Sequence, residues 1–426
     1  MTEPTNRDEL KARRNALEGS YEQAKAQGLQ LDMTRGKPSP EQLDLANKIL
    51  ALPGVDEYRD EAGTDCRNYG GISGLPAMKQ LFGEVLGCPA ENIIVGGNSS
   101  LTMMHDTVLR AFFWGVPGGE APWREQGKVK FICPVPGYDR HFALTQHIGI
   151  EMVAADMNAG GPAMDQVEAL ARDPLVKGIW CVPKYSNPTG VTFSDEVVAR
   201  LAKMQAAPDF RIMWDNAYAE HHLAEDDHDK LANIFDACAA AGNEDRVVMF
   251  ASSSKMSFAG AGLAAMGTSK ANVKDAEKHL SLQTIGPDKV NQLRHLKFFG
   301  DIHGLRSHMA RQGEVIRPKF ELVHQILEEE LGGKGLAVWS KPKGGYFIDL
   351  NVADGCAQEV VALAAGAGVK LTKAGATFPY GLDPKDRNIR LAPTLPSLDE
   401  IRQAMKVVAL CVELASTRKQ LAGSPS

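Results

Sequence analysis

Val247-Val248-Met249-Phe250-Ala251-Ser252-Ser253-Ser254-Lys255 reads as a short apolar strand running into three hydroxyls and a single lysine. The glycine-broken segment Ser257-Phe258-Ala259-Gly260-Ala261-Gly262 follows it. An amine at the end of a buried strand is costly unless it is used. Desolvation and a neighbouring positive dipole lower its pKa, and the neutral form can attack an aldehyde and hold it as a Schiff base. The adjacent hydroxyls suit a phosphate. A plain loop lysine after a strand would look the same, so the neighbouring segments decide.

Outward from this stretch, residues 46 to 300 alternate short apolar strands with longer helical patterns, which implies parallel strands joined by crossovers. Strands are expected at 92–95, 129–133, 150–154, 178–182, 211–214 and 246–250. Most are continuously apolar, as where helices cover both faces of a sheet. Ligands of such sheets bind beyond the carboxyl ends of the strands.

The first strand is followed by Gly96-Gly97-Asn98-Ser99-Ser100-Leu101 and a helical run over 102–113, where glycines and free helix amides could meet a phosphate. An ordinary Ser-capped helix has the same sequence. After 129–133 comes Pro134-Val135-Pro136-Gly137-Tyr138-Asp139-Arg140-His141, in which Tyr138 could stack on a flat ring or belong to the core. After 178–182, Asn187-Pro188-Thr189-Gly190 forms a turn that presents the Asn187 amide, with Pro188 a candidate cis residue. After 211–214, Asp215 stands at a strand end, where an unpaired carboxylate is costly but a protonated pyridine nitrogen would be a partner. Strand ends that offer an amine, an acid, an amide and a phosphate cradle converge on pyridoxal phosphate (PLP), carried by Lys255.

The remaining features set the frame. The 426 residues allow a large core and more than one domain, and 44% hydrophobic with 23% charged residues is ordinary for a globular protein. A formal charge of -6 without a basic run argues against nucleic acid. No stretch has the length and apolarity of a membrane span, and Met1-Thr2-Glu3-Pro4 opens no signal peptide. Seven scattered cysteines, odd in number and without a Cys-x-x-Cys pair, point to the cytoplasm and to no structural metal. Residues 8–27 read as a helix with a narrow apolar stripe, a surface or subunit-contact arm, and the tail from Gly423 to Ser426 reads as disordered. A helical region over 288–331, broken near Gly300 to Gly304, leads into an α+β unit with strands at 337–339, 346–350 and 389–391 and helices at 358–366 and 397–421. A large domain over 46–304 and a small one from 1–45 and 305–426 are expected.

These segments resemble the class I aminotransferases of PLP fold type I, and most nearly the aspartate aminotransferase subgroup called Ic. The likeness rests on Asn187-Pro188-Thr189-Gly190, Asp215-Asn216-Ala217-Tyr218, Ser252-Ser253-Ser254-Lys255, Thr284-Ile285-Gly286-Pro287-Asp288-Lys289, Lys343-Gly344-Gly345-Tyr346-Phe347 and Asn388-Ile389-Arg390-Leu391-Ala392-Pro393, and spans residues 31 to 396. It implies an α/β fold with a mainly parallel seven-stranded sheet covered by helices, plus a smaller α+β domain. It also implies that Lys255 is the Schiff-base lysine and the base, that Asp215 pairs with the pyridine nitrogen supported by His141, and that Asn187 and Tyr218 bond the phenolic oxygen. Tyr138 would stack on the ring; Gly97, Asn98, Ser99 and Ser252 would cradle the phosphate. Tyr69, in Tyr69-Gly70-Gly71-Ile72-Ser73-Gly74-Leu75, would reach a phosphate across a homodimer interface. Arg390 would clamp the substrate α-carboxylate with Asn187 and the Gly36 backbone.

Two positions depart from the family pattern. Leu263 stands where many relatives place a phosphate-binding arginine, leaving hydroxyls, amides and helix dipole, or a base such as Lys270, to take its part. Gly286 stands where an arginine of the interface segment meets a distal carboxylate. Arg35, Arg140, Lys289 and Arg294 are the replacements considered, Arg35 and Arg140 first. The reaction implied is transamination of L-aspartate with 2-oxoglutarate. Rivals are an aromatic, kynurenine or alanine aminotransferase, a PLP-dependent lyase, or a PLP-binding transcription regulator; about 30 residues before the Gly36 loop are too few for a DNA-binding domain. The cluster from Glu220 to His228 has a metal-like composition but no ligand-like repeat.

Overall fold

Along Phe131-Ile132-Cys133 and again along Val247 to Ala251, successive buried side chains enter two different apolar clusters. That alternation is the two-residue period of a strand covered on both faces. The computed structural model describes residues 7–423, so the opening Met1 to Pro4 and the tail beyond Gly423 lie outside the described residues.

The main sheet contains β1 (Ile93–Val95), β2 (Lys130–Val135), β3 (Glu151–Asn158), β4 (Gly161–Pro162), β5 (Val176–Cys181), β6 (Arg211–Asp215), β7 (Val247–Ser252) and β8 (Ala264–Thr268). Their spatial order is β1-β8-β7-β6-β5-β2-β3-β4. The core from β3 to β7 is parallel, while β8 runs antiparallel to both neighbours and β4 folds back on β3. The sheet thus has eight strands where seven were expected, because the two-residue β4 closes a tight return after Asn158. β8 has little strand signature in sequence: it is Ala-Ala-Met-Gly-Thr, and a Cβ on Gly267 would lie 3.0 Å from Cys88 Sγ. β2 continues through Pro134, where its pairing with β5 has already ended at Ile132 and no hydrogen on nitrogen is needed on that side.

A second body of structure carries β9 (Ala337–Trp339), β10 (Ile348–Val352) and β11 (Asn388–Leu391) in one antiparallel sheet. Leu31–Asp32 pairs in parallel with Val369–Lys370 beside it. The expected strand at 346–350 starts two residues late, which frees Tyr346 and Phe347 from the ladder. The helix Arg7–Ala26 is no free arm. It lies along the helix Leu398–Gly423, and Tyr21 and Ala24 enter the same apolar cluster as that helix. The Tyr21 hydroxyl also donates to Leu363 O at 2.9 Å, in the neighbouring helix Ala357–Gly366.

The 30-residue helix Ile302–Leu331 joins the two cores. Ile302, Leu305 and Met309 pack beneath the main sheet, whereas Phe320 to Leu331 pack with β10 and β11. Among the described residues no helix is long and apolar enough to cross a membrane. All seven cysteines are free and buried.

Candidate active site

The carboxyl ends of β2, β5, β6 and β7 open onto one pocket of about 180 Å³. Its wall includes Ser99, Tyr138, Asn187, Asp215, Tyr218, Ser252 and Lys255. Each strand buries its apolar residues in the sheet, and polar residues at or just past its carboxyl end line the rim.

Asp215 ends β6 with its side chain 4% exposed. His141 Nε2 donates to Asp215 Oδ2 at 3.0 Å, and the imidazole is itself stacked on Trp180, with ring centroids 4.3 Å apart. Asp215 Oδ1 is buried without any partner. A buried acceptor left open is costly and rare. Lys255 lies three residues beyond β7, half-buried, and desolvation holds its amine below the ordinary lysine range, against the opposing pull of Asp215. Nζ sits 4.8 Å from the Tyr218 ring centroid and 5.7 Å from that of Tyr346. Burial pushes the Tyr218 phenol well up and that of Tyr138 to about 12, so both are hydrogen-bond donors at neutral pH. The Tyr346 hydroxyl accepts from Gln42 Nε2 at 3.0 Å and donates to the Lys255 carbonyl at 3.4 Å, tying the second body of structure to the lysine. His221, packed edge-on to Tyr218 and Tyr346, has both ring nitrogens unpartnered and is held down to about 3 by burial and then by Lys255.

At the opposite wall the helix Ser100–Trp114 begins with Ser99, whose side chain makes no capping bond. Its first-turn amides and hydroxyl are therefore available to an anion. Gly97 and Asn98 stand behind this wall rather than on it: Gly97 O accepts from Ala264 N at 2.7 Å and Asn98 O from Ser254 Oγ at 2.8 Å. Leu263 is core, with its amide donating to Ser253 Oγ at 2.8 Å. Lys270 is not on the wall of this pocket, and its exposed amine faces Glu91 at 3.6 Å.

Arg390 projects from β11. Its Nη1 donates to Asp139 Oδ1 at 2.8 Å and Asn187 Oδ1 at 3.2 Å, and its guanidinium lies 4.8 Å from the Phe347 ring centroid. Asn187 reaches it across a cis Asn187-Pro188 bond, as the turn suggested. Gly36 closes this corner: a Cβ there would lie 2.7 Å from Phe347 Cζ.

Other candidates are not gathered in. Arg35 and Arg140 are exposed and make no ion pair among the described residues. Lys289 is committed to the carbonyls of Asn68 and Gly70, and Arg294 to that of Leu52. Gly286 is fixed by packing, since a Cβ would come within 2.6 Å of Gly70 O. Tyr69 is 79% exposed and away from this pocket. Glu220 and His222 of the metal-like cluster are engaged by Arg306 and Tyr185, and they line a separate cleft of about 770 Å³. Asp139, Phe347 and His221 were not singled out in sequence; the one signal for Asp139 was its place between Tyr138 and Arg140.

Comparison with known proteins agrees over nearly the whole chain. The profile of the aspartate amino-transferase family matches residues 5–424. A protein named as an aminotransferase in Mycolicibacterium smegmatis is 52% identical over 97% of this chain and 98% of its own. The crystal structure of an aspartate transaminase from Corynebacterium glutamicum superposes with a TM-score of 0.95 at 44% identity, covering 97% of each chain. The α-aminoadipate aminotransferase of Thermus thermophilus, solved with N-(5'-phosphopyridoxyl)-L-leucine, shares the fold at a TM-score of 0.72 and 19% identity, covering 91% of this chain and 93% of its own. With a family profile spanning all but its ends and relatives matched along their full length, the chain belongs to the aspartate aminotransferase family.

Proposed function

We propose that this aminotransferase moves an amino group between L-aspartate and 2-oxoglutarate, giving oxaloacetate and L-glutamate in a ping-pong cycle on PLP. The observation that carries the cofactor is the buried, unpartnered Asp215 Oδ1 on the same pocket as a half-buried amine and an uncapped helix start. An acceptor, an amine of lowered basicity and an anion site fit a protonated pyridine nitrogen, an aldehyde and a phosphate respectively. Asp215, Tyr138, Asn187 and Tyr218 would hold the ring, and Ser99 and Ser252, with Gly97 and Asn98 behind them, the phosphate. When bound, PLP supplies an aldehyde for the amino group and a cationic ring that accepts electron density as the Cα proton leaves.

The chain's own groups do the rest. Lys255 Nζ, its basicity lowered by desolvation, takes the Cα proton and returns it. The Tyr218 hydroxyl and the Asn187 amide donate hydrogen bonds at the ring edge. Arg390, steadied by Phe347 and closed in by Gly36, orients the substrate carboxylate. A distal carboxylate would meet Arg140 or Arg35, two exposed cations next in sequence to Asp139 and Gly36. The relative of known structure that is named an aspartate transaminase supports the choice of aspartate.

We further propose a homodimer, to which the exposed Tyr69, Trp114, Leu282 and Ile285 would contribute. Tyr69 would then serve the partner's phosphate, and a monomer in sedimentation would reject this. The division into 46–304 and 1–45 with 305–426 is retained as a proposal, with the helix Ile302–Leu331 running through both. Seven free, buried cysteines support a cytoplasmic location. The test of the reaction is the visible spectrum of the PLP-supplied protein. Aspartate should bleach the internal band and 2-oxoglutarate restore it. A band that aspartate leaves unmoved rejects the substrate, and no band at all rejects the cofactor.

A further inference from the structure

Arg390 already holds a carboxylate. Asp139 Oδ1 accepts from Nη1 at 2.8 Å, the shortest bond this guanidinium makes. Asn187 at 3.2 Å and Thr372 Oγ1 at 3.4 Å are longer, and Nε has no partner. A second carboxylate reaching Arg390 must therefore displace Asp139 or share the cation with it, and two like charges on one guanidinium repel.

Three features let Asp139 yield. Its side chain is 32% exposed against 6% for Arg390, so water can take it back. It is the first residue of the helix Asp139–Ile148, where the dipole and free amides favour a lone carboxylate. Arg390 keeps Asn187, Thr372 and the Phe347 ring when Asp139 leaves, so the cation stays aimed.

We propose that Asp139 is a built-in placeholder, occupying Arg390 until the carboxylate of an incoming amino or oxo acid displaces it. It thereby sets how tightly the enzyme holds that class of substrate. The proposal rests on the reading of Arg390 as the carboxylate clamp. Its chemistry is competitive: one carboxylate leaves the guanidinium as another arrives, and no covalent bond changes.

Succinate, which binds as a dicarboxylate but has no amino or oxo group to exchange, is the probe. Its binding to the PLP-supplied enzyme is measured by titration calorimetry for wild type, Asp139→Asn, Asp139→Glu and Arg390→Ala. Asp139→Asn removes the competing charge and should bind succinate roughly tenfold tighter, the scale of one charge-assisted hydrogen bond. KM for both substrates should fall with it while kcat moves much less, and the gain should shrink in high salt. Asp139→Glu should stay near wild type. Unchanged or weaker succinate binding in Asp139→Asn overturns the placeholder, and a rise in KM would make Asp139 a residue that orients Arg390. Arg390→Ala separates the two levels of the argument. If it binds succinate like wild type, the clamp falls and the placeholder with it. If it loses succinate while Asp139→Asn gains nothing, the placeholder alone falls.

Discussion

Replacing Asp215 by Asn tests the pairing on which the cofactor reading rests. Asn keeps the shape of the carboxylate and a hydrogen bond to His141, but it removes the charge. In the protein without cofactor, Oδ1 is buried and unpartnered. Leaving such a group open costs about 1–3 kcal/mol, and a neutral amide is cheaper to bury than a carboxylate. Asp215→Asn without PLP is therefore expected to be as stable as wild type or more so. With PLP the sign reverses, because a charge-assisted bond to the ring nitrogen worth about 1.5–3 kcal/mol is lost, or roughly 10- to 150-fold in affinity. The comparison is best made in a Lys255→Ala background, where no covalent link masks the difference. At a PLP concentration 100 times the wild-type Kd, binding stabilises the fold by about 2.7 kcal/mol, and a tenfold weaker site retains about half of that. Urea denaturation with and without PLP, and a fluorescence titration for Kd, read both numbers. Equal PLP affinity in the two proteins would refute the pairing. A marked loss of stability in Asp215→Asn without PLP would instead make the acid a structural partner of His141.

Arg140→Ala or Arg35→Ala is expected to raise KM for aspartate far more than KM for a neutral amino acid; equal losses in steady-state kinetics reject that residue as the distal-carboxylate cation. His221 is held down to about 3, whereas an unfolded histidine titrates near 6.5. Below pH 6.5 the unfolded chain binds a proton that the folded chain refuses. This contribution to stability is thus full above that pH and is lost as pH falls, by up to about 1.4 kcal/mol per pH unit. His221→Phe should flatten the fall in urea midpoint between pH 7 and pH 5, and an unchanged slope would show that His221 accepts its proton while folded.

The parallel core was legible because strands buried on both faces are written as unbroken apolar runs, and the residues just past them carry the polar side chains. Asp215, Asn187 and Lys255 were found by that logic. β8 was not, since its small residues carry no strand propensity and its place is set by close packing against Cys88. Asp139 was passed over for a different reason: its partner lies 251 residues away in sequence, and local sequence carries no sign of so distant a pairing. The fixed glycine at 286 looked like a change of specificity, and the structure gives it a steric cause as well. Lys289 and Arg294 read as free cations only until their carbonyl partners came into view.

Pro318 sits inside the helix that runs from Ile302 to Leu331, between the residues packed beneath the main sheet and those packed with β10 and β11. It offers no hydrogen to the carbonyl of Glu314, so one rung of the ladder is missing at the handover. A rod with one weakened rung resists sliding along its length yet flexes at that point, like a beam notched between two clamps. From Pro318 to Leu331 the lever is about 20 Å, so a bend of about 10° swings its far end by about 3–4 Å. That is the scale of a hydrogen bond made or broken; Arg390 stands on β11, in the body that packs with the helix beyond Pro318, and Asp139 on the helix Asp139–Ile148 beside the main sheet.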